Sequence, residues 1–168
     1  MHFDEPGWAL IDDFFAQLAR RRSAATVRRY VRVHQRLTAF LDTADMTLGL
    51  GEHRARLLDA EREFHDSGAF CTLYGTPELV QCLPSFLHET WLPAGLTESR
   101  MHVSVCARLL DHVVRERAAE AVISPTAVAD ATRAISQARL DIEAAAADVV
   151  PRAPKIPPRL LRQPGPEW

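Results

Sequence analysis

A chain of 168 residues that is 47% hydrophobic and 25% charged, with only seven glycines, can bury a core without disulfide or metal support, which excludes an intrinsically disordered chain. The formal net charge of −2 excludes a uniformly basic coat, yet residues 20–41 hold seven arginines and no acid, and residues 151–168 are basic as well. Three cysteines (Cys71, Cys82 and Cys106) without C-x-x-C spacing predict buried thiols. With an acidic start at Met1–Glu5 and no apolar run long enough to cross a bilayer, they predict a cytoplasmic protein with no membrane partner.

The first predicted helix opens at Pro6 and carries Trp8, Ile11, Phe14, Phe15 and Leu18 on one face; it ends at the arginine run Arg20-Arg21-Arg22, which suits a helix C-terminus. The second is capped by Ser23 and ends near Leu41. Its apolar set is Val27, Tyr30, Val31, His34, Leu37 and Leu41, and at about 100° per residue Arg28, Arg29, Arg32 and Arg36 fall in a narrow wedge opposite. A turn-prone stretch from Asp42 to Gly51 follows. The third helix is expected from Glu52 to about Asp66, with Leu57, Leu58 and Phe64 inward.

A fourth, shorter helix starts at Thr76-Pro77 and is disturbed by Pro84. The interval from Phe64 to Leu96, rich in Phe70, Tyr74, Phe86, Trp91 and Leu92, either completes the core or offers a docking surface. The fifth helix, from Thr97-Glu98 to about Ala121, turns Val103, Cys106, Leu109, Leu110 and Val113 inward. Its polar side gathers Arg100, Ser104, Arg108, Asp111 and Arg115. The sixth opens at Ser124-Pro125 and repeats Val128, Ala131, Ile135, Ala138, Ile142, Ala145 and Val149 in heptad order, a pattern suited to packing against its own domain rather than to self-association. The last eighteen residues hold six prolines, which predicts no fixed fold and a role as tether or peptide ligand.

The arginine face of the second helix has two readings. Guanidinium groups keep their charge and fork two N–H groups onto one anion, so a row of them suits a phosphate backbone. A basic solvent face is the plainer alternative, because arginine is a good helix former and the chain has nineteen of them against one lysine, Lys155. A merely solvated face should mix signs, and here no acid appears before Asp42.

Two stretches carry a family resemblance. The run Ser23-Ala24-Ala25-Thr26-Val27-Arg28-Arg29-Tyr30 with Leu37 to Leu41 resembles the first helical hairpin of the N-terminal core-binding (SAM-like) domain of tyrosine recombinases, the phage-integrase type. The stretch from Leu96-Thr97-Glu98-Ser99 through Leu109 to Glu116 and on to Ile123-Ser124-Pro125 resembles that domain's closing helix. The resemblance implies a helical module that clamps DNA while a separate domain cuts it, with Thr26, Arg28 and Arg29 on the backbone and Tyr30 in packing. The chain departs from the pattern in three ways. The spacing is longer, by about residues 64–96; basic residues are missing at Val103 and Ser104; and the catalytic domain is absent, the only tyrosines being Tyr30 and Tyr74.

Catalytic constellations are thin. His53, Glu61 and His65 share a face of the third helix, but a zinc site wants three or four converging ligands, so surface pairing is expected and no metal. His34 reads as a hydrogen-bonded core residue, and His102 and His112 face different directions. A Cys–His pair, Cys71 or Cys82 with His65 or His88, has neither an activating motif nor an orienting group, and no phosphate loop is present.

The sequence therefore predicts an all-α bundle of five or six helices over residues 1–150, with core-binding-like hairpins at about 6–42 and 97–123 and a tail at 151–168. The expected function is non-catalytic, cofactor-free DNA binding by an accessory or regulatory protein of mobile-element origin. Its phosphate contacts would be Arg20, Arg21, Arg22, Thr26, Arg28, Arg29, Arg32 and Arg36, joined by Arg100 and Arg108, with a recombinase or another protein as a further partner. The competing expectation is a protein–protein adaptor that docks its partner through the apolar segment near Trp91 and the proline-rich tail.

Overall fold

The computed structural model of the chain describes residues 6–117 and 123–149, and every regular element among them is an α-helix. In chain order these are α1 (Pro6–Ala19), α2 (Ala24–Thr43), α3 (Thr47–Leu50), α4 (Glu52–Arg62), α5 (Ala69–Leu73), α6 (Thr76–Phe86), α7 (Leu96–Arg117) and α8 (Pro125–Val149). The all-α expectation holds. Six longer helices match the predicted ones, and two short ones, α3 and α5, fill stretches expected to be irregular. Among the described residues no helix is long and apolar enough to cross a membrane. The side chains of Trp8 and Val149, and the tail at 151–168, lie outside the described residues.

Local chemistry explains most boundaries. The Ser23 hydroxyl accepts from the Thr26 N–H at 3.3 Å, so the serine after the arginine run starts α2 as its cap. At the other end of α2, Arg62 donates through Nη1 to the Ala44 carbonyl at 3.0 Å and through Nη2 to the Leu41 carbonyl at 2.8 Å. Terminal carbonyls that α2 cannot satisfy itself are thus closed by a side chain from α4. The Asp45 carboxylate accepts from the Thr47 N–H at 2.8 Å and starts α3, which drives Met46 and Leu50 inward. The Glu78 carboxylate reaches back to the Gly75 N–H at 3.1 Å at the start of α6. Pro84 does not stop α6, which runs on to Phe86.

The core forms where α2, α6 and α7 meet under α8. Leu37, Phe40 and Leu41 of α2 pack with Val80, Leu83 and Phe86 of α6 and with Val103, Cys106, Leu109 and Val113 of α7, all buried. The Phe40 ring lies 5.0 Å from that of Phe86 and 5.3 Å, edge-on, from that of Trp91. α8 lies against both α6 and α7 and buries Ala131, Ile135, Ala138 and Ile142. Its alternation of alanine and isoleucine thus serves packing within the chain, while Ala145 at the next heptad position is exposed. α1 lies along α2 and buries Ile11, Phe14 and Phe15.

Three expectations are corrected. The buried arc of α2 is Tyr30, Val33, Leu37, Phe40 and Leu41, which is turned by about 60° from the predicted set at 100° per residue. Burying Phe40, the largest apolar side chain of the helix, against Phe86 and Trp91 costs the burial of Val31, left 47% exposed. On α4, Ala55 and Leu58 take the inner side, so Leu57, one position round the helix, is 50% exposed. Phe64 lies beyond the end of α4 and is 81% exposed, not inward. Of the two readings of the 64–96 interval, the core reading holds for Phe70 and Phe86, which are fully buried, while Tyr74, Trp91 and Leu92 are partly buried at its margin.

Candidate functional site

Two groups of arginines stand out among the described residues. One group serves the fold. Besides Arg62, the Arg54 guanidinium pairs with Glu78 and lies 5.1 Å over the Tyr74 ring, while Arg56 pairs with Glu52 at 2.8 Å and Arg133 with Asp130 at 2.9 Å. The other group belongs to α2 and the linker before it. Arg20, Arg21, Arg22, Arg28 and Arg29 are exposed, and none of them has a carboxylate within ion-pair distance among the described residues.

Arg21 has φ 56, in the left-handed region where glycine is the easy occupant, and it is the only non-glycine residue with positive φ among those described. Its turn is held by the Arg20 N–H on the Gln17 carbonyl and the Arg22 N–H on the Ala19 carbonyl, both at 3.2 Å. An arginine therefore stands at the end of α1 in a conformation that strains it.

Farther along α2 the face is not uniform. Arg32 Nη1 lies 3.0 Å from Glu98 Oε1, a carboxylate in the first turn of α7, with side chains 55% and 40% exposed. Arg29, Arg32 and Arg36 line a shallow depression with Val33, Glu98 and Met101, where α2 meets α7. Arg36 is half-buried there, a result of the turned core face of α2, which brings this flank against α7. Arg108 donates from Nη1 to the Tyr30 hydroxyl at 3.2 Å and so stands beside α2, whereas Arg100 is exposed on α7. The Thr26 hydroxyl lies 3.0 Å from that of Ser23 and belongs to the cap.

Of the ten residues singled out from sequence, the fold gathers Arg29, Arg32 and Arg36 at one seam and ties Arg108 to Tyr30 of α2. Arg20, Arg21, Arg22 and Arg28 stay on the open approach to that seam along α1–α2, and Arg100 is not drawn in. Glu98 is the residue that sequence reasoning missed. Its position in a helix's first turn gives it an ordinary capping role, and only the crossing of α2 and α7 discloses its partner.

The histidine and cysteine chemistry is spent on structure. His65 Nε2 pairs with Glu61 at 2.8 Å, His53 is exposed apart from them, and no group of three or more metal-ligating side chains converges among the described residues. Burial pushes the Cys82 thiol up to about 12 and raises Cys106 as well, so neither is poised as a thiolate. His34 stacks on Phe15 with centroids 4.5 Å apart and lies 3.3 Å from Asp12; burial outweighs that carboxylate and lowers its pKa. His102 is fully buried against Phe86.

On another side of the molecule a groove of about 1080 Å³ opens between α3, α6 and α8. Its floor is Phe40, Ala44, Pro84, Trp91 and Ala134, and Leu48 stands at its edge 93% exposed. No family model matches the chain, and no curated protein or solved structure matches it either.

Proposed function

We propose that the chain is a non-catalytic DNA-binding module that holds the phosphate backbone along the α1–α2 hairpin and the seam with α7. The observation that carries the reading is the division of the arginines. The three arginines of α4, and Arg133 of α8, are neutralised by nearby carboxylates or bonded to carbonyls, while Arg20, Arg21, Arg22, Arg28 and Arg29 are exposed and unneutralised together in a molecule of net charge −2, where Arg139 of α8 is exposed singly. A patch of this kind gives a local positive potential without an overall basic protein. The choice of DNA among anionic polymers comes from the resemblance of residues 23–41 and 96–125 to an integrase core-binding domain, and with it the role of accessory or regulatory protein in mobile-element biology.

The tyrosines support a module that does not cut. The Tyr30 phenol is buried and accepts from Arg108, and the Tyr74 phenol donates to the Arg54 carbonyl at 2.6 Å. Neither is a free nucleophile. Phosphate contacts orient a protein on DNA and carry no base code, so the module recognises backbone first.

The test is a mobility shift with short duplexes at low and moderate salt, comparing the chain with an Arg28→Gln, Arg32→Gln, Arg36→Gln variant. Retardation at low salt that the variant loses while keeping its helical circular dichroism supports the reading; an unretarded duplex at low salt, or equal retardation by both proteins, overturns it.

A second reading, the helical adaptor, is favoured by the groove beneath Trp91, with an apolar segment of a partner protein as its occupant. In that reading Leu48→Asp abolishes partner binding and leaves the duplex shift unaltered.

A further inference from the structure

Glu98 is a carboxylate set among the arginines where α2 meets α7. Its carboxylate meets Arg32 at 3.0 Å inside the depression that Arg29 and Arg36 also line, so an internal anion already pairs with one arginine of the three. The pair uses one nitrogen of Arg32, which leaves further N–H groups of that fork unspent. Both partners are substantially exposed, and an ion pair open to water is weakly held and readily exchanged.

Resting on the DNA-binding reading, we propose that Arg29, Arg32 and Arg36 form a seat for a single backbone phosphate whose resident occupant is Glu98, and that a phosphodiester displaces this carboxylate on binding. The geometry makes the seat selective. A carboxylate tethered to α7 has a high local concentration, so a lone small anion competes poorly for the same guanidiniums. A polynucleotide competes well, because it offers neighbouring phosphates to Arg28 and to the Arg20–Arg22 linker at the same time, and its multivalency compensates for the displaced pair. Glu98 thereby raises the threshold for binding from one charge to a polyanion.

Glu98 also has an ordinary role, a negative charge in the first turn of α7, and the test must separate the two. Binding of a fluorescein-labelled 16-base-pair duplex is followed by anisotropy in the full chain and in Glu98→Gln, Glu98→Asp, Arg32→Gln and the Glu98→Gln, Arg32→Gln double variant. Aspartate keeps the helix charge but is one methylene shorter, which weakens its pairing with Arg32. The expected result is a gain in affinity of roughly fivefold in Glu98→Gln, the equilibrium equivalent of one exposed ion pair. Glu98→Asp should show an intermediate gain, and Arg32→Gln a larger loss when made in the Glu98→Gln chain than in the parent. Duplex binding with equal affinity in the parent and in Glu98→Gln overturns the seat and leaves the DNA-binding reading standing. Failure of every chain, Glu98→Gln included, to bind the duplex overturns the reading itself and the seat with it.

Discussion

The Nε2–H of His102 donates to the Phe86 carbonyl at 3.2 Å, joining α7 to the last turn of α6, while its Nδ1 is buried without a partner. A second proton would have to go to that enclosed nitrogen. Burial, with the nearby Arg36 charge, lowers the His102 pKa from 6.5 to about 4, although the Phe86 carbonyl favours the charged ring. Because the folded chain resists protonation more than the unfolded one, stability is full above about pH 6.5 and drains as pH falls toward 4. The loss is on the order of 3 kcal/mol. His34, lowered chiefly by burial, acts in the same direction. Urea denaturation at pH 7.5 and pH 5.0 should show a lower midpoint at the acid value, and His102→Gln should remove much of the difference. An equal pH effect in both chains contradicts the assignment.

Gly49 of α3 lies close against α6. A Cβ placed there would lie 2.7 Å from Cys82 Sγ and 3.0 Å from both Cys82 Cα and the Gln81 carbonyl oxygen. Two of these neighbours are backbone and cannot swing aside. Gly49→Ala should therefore destabilise the fold by about 1–3 kcal/mol through overpacking, read as a fall in urea midpoint.

Arg21 carries left-handed strain at the end of α1. Arg21→Gly should stabilise the chain by about 1 kcal/mol while weakening duplex binding, since it relieves φ and removes one contact. A variant that gains stability and keeps its DNA affinity would remove Arg21 from the interface.

Cys82 and Cys106 are buried, and both thiols are held protonated. In native protein at pH 8 these two should resist iodoacetamide for hours and label promptly in denaturant, as followed by peptide mass spectrometry.

Much of the fold is legible in the residues, for identifiable reasons. Ser23 before an amphipathic run, Pro125 after Ser124 and the alanine–isoleucine alternation of α8 are local signals, and local chemistry decides them. The face of α2 was not legible. Val27 with Val31, and Val33 with Phe40, each make an apolar stripe, and the choice between them depends on Phe86 and Trp91, which are distant in sequence. Leu57 and Phe64 were misplaced for a similar reason, because α4 has few apolar residues and its end is set by the Arg62 contacts to the end of α2. At the candidate site the arginines were visible as a run, but the Arg32–Glu98 pair and the groove under Trp91 arise only from helix crossings.

The central claim concerns unneutralised guanidinium groups on α2, and counterion release reads them directly. The slope of log affinity against log salt should be measured for a short duplex with the parent chain and with the Arg28→Gln, Arg29→Gln variant. Each phosphate contact contributes about 0.9 to the slope, so the account predicts a slope shallower by roughly 1.8 in the variant, with helix content unchanged. Identical slopes for the two proteins would contradict it.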